Sequence, residues 1–111
     1  MTTISTHILD TSAGRPAADV RVTLLVQHDT HWHEIASGTT NDDGRVSCWE
    51  PEPSIAAGIY KLTFDVDSYF SARAITAFYP GVEICFRAGD DEHYHVPLLL
   101  NPFGYATYRG S

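Results

Sequence analysis

The chain has 111 residues and a formal net charge of −7, with 43% hydrophobic and 19% charged residues. That is the length and composition of one globular domain, residues 1–111, and its acidic surface excludes nucleic acid and anionic lipid as expected partners. No apolar run approaches the roughly 18 residues that a membrane-spanning helix needs.

The opening segment, from Thr2 to Asp10, has no basic stretch leading into an apolar one, so no export signal is read and a cytoplasmic location is expected. A first short strand is expected from Ile4 to Asp10, broken by the turn chemistry of Ser12-Ala13-Gly14-Arg15-Pro16. Val20, Val22, Leu24 and Val26 then alternate with Arg21, Thr23, Leu25 and Gln27, the period of a strand with one apolar face. His28-Asp29-Thr30 turns that strand into the next, Trp32 to Thr39. Asn41-Asp42-Asp43-Gly44 is a turn cluster, and Pro51, Pro53 and Gly58 mark a loop.

Tyr60, Leu62, Phe64 and Val66 alternate with Lys61, Thr63 and Asp65 as a further strand. Asp67 to Arg73 opens on a capping-type residue and suits about two helical turns. Pro80-Gly81 resets the chain for a strand over Val82, Ile84 and Phe86. Asn101-Pro102-Phe103-Gly104 is a type I turn that folds Tyr94–Leu100 back on Tyr105–Arg109. About eight short strands and one short helix define an antiparallel β-sandwich.

Cys48 and Cys85 are far apart and in no metal-binding spacing, so free thiols are expected. The six histidines fall into three places: His7, the trio His28, His31 and His33, and the pair His93 and His95. His93 and His95 are two apart on a strand and share a face, which suits a metal site, a proton-transfer site or a solvated pair. A zinc site needs three or four ligands, and neither cysteine joins the pair in a known spacing. His31 and His33 follow a hairpin turn and read as solvated. His7 and Arg45 are unremarkable alone. The ending Tyr108-Arg109-Gly110-Ser111 comes directly out of a strand, which carries a phenol, a guanidinium and a hydroxyl to a fixed place.

Three segments together resemble the 5-hydroxyisourate hydrolase family of transthyretin-related proteins. They are Thr6-His7-Ile8-Leu9-Asp10-Thr11 with Gly14, Pro16 and Ala17; Phe78-Tyr79-Pro80 with His93-Tyr94-His95-Val96-Pro97-Leu98-Leu99-Leu100; and Tyr108-Arg109-Gly110-Ser111. The likeness runs the length of the chain in order. It departs from the family pattern at Asn101 and Phe103, where Ser and Tyr are common, and at Ala106, where a Ser is common.

The resemblance implies a transthyretin-like sandwich assembled as a homotetramer, a dimer of dimers, with active sites at the dimer–dimer interface. It implies hydrolysis of 5-hydroxyisourate in urate catabolism, without cofactor or metal. His7, His95 and Ser111 are then the catalytic residues, and Arg45, Tyr108 and Arg109 the substrate-binding ones. Transthyretin itself shares the fold but not the Tyr-Arg-Gly-Ser ending, and it has other channel residues where the hydrolases place His and Arg. A small-ligand binding protein of that kind is the alternative, and a metal-binding or purely structural sandwich the next.

Overall fold

The computed structural model describes residues 2–111; Met1 lies outside it. Eight strands and one helix follow in order: β1 (Thr3–Asp10), β2 (Arg15–Pro16), β3 (Arg21–His28), β4 (His31–Thr39), β5 (Gly58–Phe64), α1 (Val66–Ser71), β6 (Val82–Ala88), β7 (His93–Asn101) and β8 (Gly104–Thr107). They form two four-stranded sheets of order β2-β1-β7-β8 and β4-β3-β5-β6.

Alternation builds the interior. Along β1, Ile4, Thr6, Ile8 and Asp10 are buried while Ser5, His7 and Leu9 are half-buried on the other face. Ile8, Leu98 and Leu100 from the first sheet share one core with Leu24, Leu62 and Phe64 from the second. Each such side chain contributes about 1.5–3 kcal/mol by leaving water. Cys48 and Cys85 are both free and exposed. Among the described residues no helix is long and apolar enough to cross a membrane.

The sandwich agrees with the sequence pattern, with one departure from an all-antiparallel arrangement. β1 and β7 pair in parallel, with Thr3 beside His93, Ser5 beside His95 and His7 beside Pro97. A parallel ladder needs a long crossover, and here the whole second sheet supplies it.

Three boundaries also differ from the pattern. Val66, at the inward parity of β5, is instead the first residue of α1. Asp65 rather than Asp67 caps the helix: its carboxylate accepts from the Ser68 amide at 3.2 Å and from the Ser68 hydroxyl at 2.7 Å. The last strand stops at Thr107, not Arg109. Its partner there would be Pro97, which has no N–H to give the ladder, and the chain rejoins β7 only where Gly110 meets His95.

One buried carboxylate ties β1 to the helix. Asp10 is 1% exposed. It accepts from the Ser12 amide and hydroxyl, the Ala13 amide and, at 2.7 Å, the Tyr69 phenol. Burial pushes the Asp10 carboxyl up, but these donors outweigh it and hold it below its ordinary value. Burial and the same carboxylate push the Tyr69 phenol up to about 12.

Asp10 therefore binds its proton more weakly folded than unfolded. The stability it contributes is present above the ordinary carboxylate value and is lost as pH falls through its folded value. Tyr69→Phe is expected to cost about 1.5–3 kcal/mol at neutral pH, as for a hydrogen bond to a charged group. Urea unfolding of both proteins should show that difference shrinking as pH drops below 3.8, the ordinary Asp value.

Candidate active site

The outer face of the β2-β1-β7-β8 sheet carries a concentration of polar groups. In β1 the residues Thr3, Ser5 and His7 point outward, and in β7 so do His93 and His95. The parallel register therefore sets His7 two pairs along the ladder from the Ser5–His95 pair, on the same face.

Arg45 reaches this face through the turn that precedes it. The Asn41 side chain accepts from the amides of Asp43 and Arg45 at 3.0 and 3.1 Å, and the Gly44 amide donates to the Asn41 carbonyl. The Gly44 carbonyl then accepts from Ile8 N at 2.9 Å, which sets Arg45 against His7 in a single antiparallel bridge. Gly44 lies at φ 75°, and a Cβ there would sit 2.5 Å from the Ile8 carbonyl oxygen and 3.0 Å from Pro16 Cβ. Only glycine allows that approach.

The two histidines are held toward their neutral forms. Burial lowers the pKa of His7, as does the charge of Arg45, while Asp43 pulls the other way through its backbone carbonyl and its charge. Burial lowers the pKa of His95, followed by the charges of Arg45, His7 and His93. One guanidinium thus disfavours the cationic form of both rings. Imidazoles so placed can take protons near neutral pH, and Arg45 can stabilise an oxyanion.

The hydroxyl of Ser5 touches both histidines of β7. Its Oγ lies 2.7 Å from His95 Nδ1 and 2.9 Å from His93 Nε2, and Thr3 Oγ1 lies 2.6 Å from His93 Nδ1. Sequence reasoning passed over Ser5 and Thr3. The available signal was the run of polar residues Thr3, Ser5 and His7 at one parity of an otherwise apolar strand.

The tail meets the site at Gly110, whose amide donates to the His95 carbonyl at 2.8 Å. A Cβ on Gly110 would come within 2.5 Å of the His95 ring, so the backbone itself walls one side of the imidazole. Tyr108 and Ser111 are exposed. The Arg109 guanidinium binds Asp91 at 2.7 Å and lies over the Tyr94 ring. Tyr94 precedes His95 and points to the opposite face of β7. A cleft of about 340 Å³ opens between the edge strands β6 and β8, with Ile84, Phe86, Val96, His95, Tyr108 and Arg109 in its walls.

Comparison with known proteins places this geometry in a class. The profile of the HIUase/Transthyretin family matches residues 4–110, and the chain belongs to that family. A protein of Caenorhabditis elegans named probable 5-hydroxyisourate hydrolase is 43% identical over 97% of this chain and 81% of its own length. The solved structure of Klebsiella pneumoniae 5-hydroxyisourate hydrolase superposes with a TM-score of 0.85 at 37% identity, covering 99% of this chain and all of its own. Sea bream transthyretin in complex with thyroxine superposes at 0.89 with 32% identity, covering 96% of this chain and 93% of its own.

The close approach at Gly44 yields a direct test. Gly44→Ala forces a positive φ on alanine and pushes a methyl group against the Ile8 carbonyl. It is expected to destabilise the fold by about 1–3 kcal/mol in denaturant unfolding. Because Arg45 is the next residue, the pKa of His7 measured by NMR titration should rise in the same variant.

Proposed function

We propose that this chain is a hydrolase that opens the six-membered ring of 5-hydroxyisourate. The observation that carries the reading is the gathering of His7, Arg45 and His95 on one sheet face, with a cation beside two rings kept neutral. Water is a poor nucleophile, and a neutral imidazole that removes its proton contributes roughly 10²–10⁴-fold. As water adds to the ring carbonyl, negative charge grows on the carbonyl oxygen, where a fixed Arg45 stabilises it. The C–N bond then breaks and the ring nitrogen takes a proton, giving a ureidoimidazoline carboxylate.

His7 and His95 move the protons in this scheme. Ser111 and Tyr108 border the substrate, and Arg109 anchors the tail through Asp91 so that Gly110 stays against the His95 ring. Neither metal nor cofactor takes part, since an imidazole supplies the base and a guanidinium the positive charge.

The chain works as a homotetramer, a dimer of dimers, with the site closed by the facing dimer. Two observations support this. Strands β6 and β8 are unpaired edges on the same side of the sandwich, flanking the apolar cleft. Phe78, Phe103 and Tyr108 are 70%, 75% and 58% exposed, an aromatic surface that a lone protomer leaves in water.

The likeness to thyroxine-bound transthyretin favours one other reading, a carrier that holds a small aromatic ligand without reacting. Freshly made 5-hydroxyisourate mixed with the protein separates the two. Its ultraviolet absorbance should decay faster than the spontaneous rate, and unchanged decay would remove the enzyme reading.

In that assay His7→Ala, His95→Ala and Arg45→Ala should each lower kcat/KM by roughly 10²-fold or more. The working rings are neutral and their pKa values lie below 6.5, so the rate should hold through neutral pH and fall only below that value. Arg45→Gln removes a charge that opposes protonation, so its residual activity should begin to fall at higher pH than wild type.

Deletion of residues 109–111 removes both the Asp91 anchor and the Gly110 contact. The truncated protein is expected to melt cooperatively and to lose turnover.

A further inference from the structure

Four side chains on the outer sheet face form a continuous hydrogen-bonded row. Thr3 and His93 face each other across the β1–β7 ladder, as do Ser5 and His95. The links run Thr3 Oγ1 to His93 Nδ1 at 2.6 Å, His93 Nε2 to Ser5 Oγ at 2.9 Å, and Ser5 Oγ to His95 Nδ1 at 2.7 Å. Both nitrogens of His93 are engaged. The Nε2 of His95 has no protein partner among the described residues and is left for substrate or water.

Such a row has two self-consistent directions. In one, His95 Nδ1–H donates to Ser5, Ser5 donates to His93 Nε2, and His93 Nδ1–H donates to Thr3. His95 Nε2 then presents a lone pair and is a base. In the other, Ser5 donates to His95 Nδ1 and His93 donates to Ser5, so His95 Nε2 carries a proton and is an acid.

We propose that Ser5 and His93 are positioning residues that relay the proton His95 takes from water, so that the resulting charge rests on His93 rather than on His95. This rests on the hydrolase reading above, with His95 as the group that deprotonates water.

The step balances. Water gives a proton to His95 Nε2 while its oxygen bonds to the ring carbonyl carbon. His95 Nδ1 gives its own proton to Ser5 Oγ, and the Ser5 hydroxyl proton passes to His93 Nε2. His93 keeps its proton at Nδ1 and becomes an imidazolium. His95 and Ser5 end neutral. As the C–N bond breaks, His95 gives its Nε2 proton to the leaving nitrogen, and the reverse sequence returns a proton from His93 Nε2 through Ser5 to His95 Nδ1.

Geometry makes the relay worthwhile. His95 is half-buried, and the charged and titratable groups that face it are Arg45 from the turn after β4, His7 from β1 and His93 on its own strand. A positive charge on that ring is opposed by the guanidinium. His93 is exposed at the solvent end of the row, where water solvates a cation cheaply. Its neighbours there are the hydroxyls of Thr3 and Ser5, and the nearby carboxylate of Asp91 is already paired with Arg109.

Ser5→Ala breaks the row between the rings. His93→Gln keeps an amide beside Ser5 but cannot hold a proton. Both should fold as wild type by circular dichroism and lower kcat by roughly tenfold to hundredfold with little change in KM, a part of what acid–base groups contribute. In both, the acid limb of the kcat profile should move to lower pH, because it then reports His95 alone beside Arg45. Nitrogen-15 NMR of the unliganded protein should show the His95 Nδ1 signal shifted in Ser5→Ala.

A drop in kcat with an unmoved acid limb would mean a packing role only and would overturn the relay. Wild-type kcat and pH profile in both variants would overturn it too. His95→Ala is the control that tells the two readings apart. If it is inactive while the relay variants turn over normally, only the relay fails; if it is active, His95 is not the base and both readings fail together.

Discussion

The parallel pairing of β1 with β7 decides where every polar group on the outer face lies. In register, it sets Ser5 beside His95 and Thr3 beside His93, and it brings His7 next along the same row. A slip of one residue would send the histidines into the core and Ile4, Ile8 and Leu98 into water. The burial of those apolar side chains therefore holds the imidazoles in line. The same alternation that drives the chain to fold also aims its reactive groups.

Local chemistry then refines what the ladder sets out. The Asn41 side chain and the positive φ of Gly44 bend the chain so that Arg45 bridges to His7, and no larger residue fits at Gly44. Pro97 interrupts the β7–β8 ladder and leaves Tyr108 and Arg109 outside it, yet the register resumes at Gly110 against His95. On the inner side of β1, the Asp10–Tyr69 bond clamps the strand's far end to α1. The face that carries the histidines is thus backed by a packed and hydrogen-bonded interior.

Much of this was legible from residue order. Period-two alternation located β3, β5 and β6, and the turn residues between them bounded the other long strands. The turn residues at Asn41–Gly44 and Asn101–Gly104 marked the breaks, because their backbones need those side chains. Other features were hidden for physical reasons. Alternation does not distinguish a parallel partner from an antiparallel one, so the β1–β7 pairing was invisible. Val66 continued the parity of β5, and only the capping bonds of Asp65 turned it into a helix. His93 and His95 were visible as a pair sharing one face. Ser5 was not, since its importance comes from a strand almost the whole chain away. The pairing of Arg109 with Asp91 was not legible either, because it joins the chain after β8 to the loop before β7.

That separation has a bearing on time as well as on space. Ser5 and His95 are 90 residues apart in the chain, and Thr6 and Val96 are joined over the same span. Closing so long a loop costs entropy before any contact rewards it, and folds dominated by such pairings form slowly. During synthesis β1 emerges before β7, its partner, and waits while the strands between them are made. Its exposed edge is then a hazard for association with other nascent strands, and the polar residues at Thr3, Ser5 and His7 help keep that waiting strand soluble.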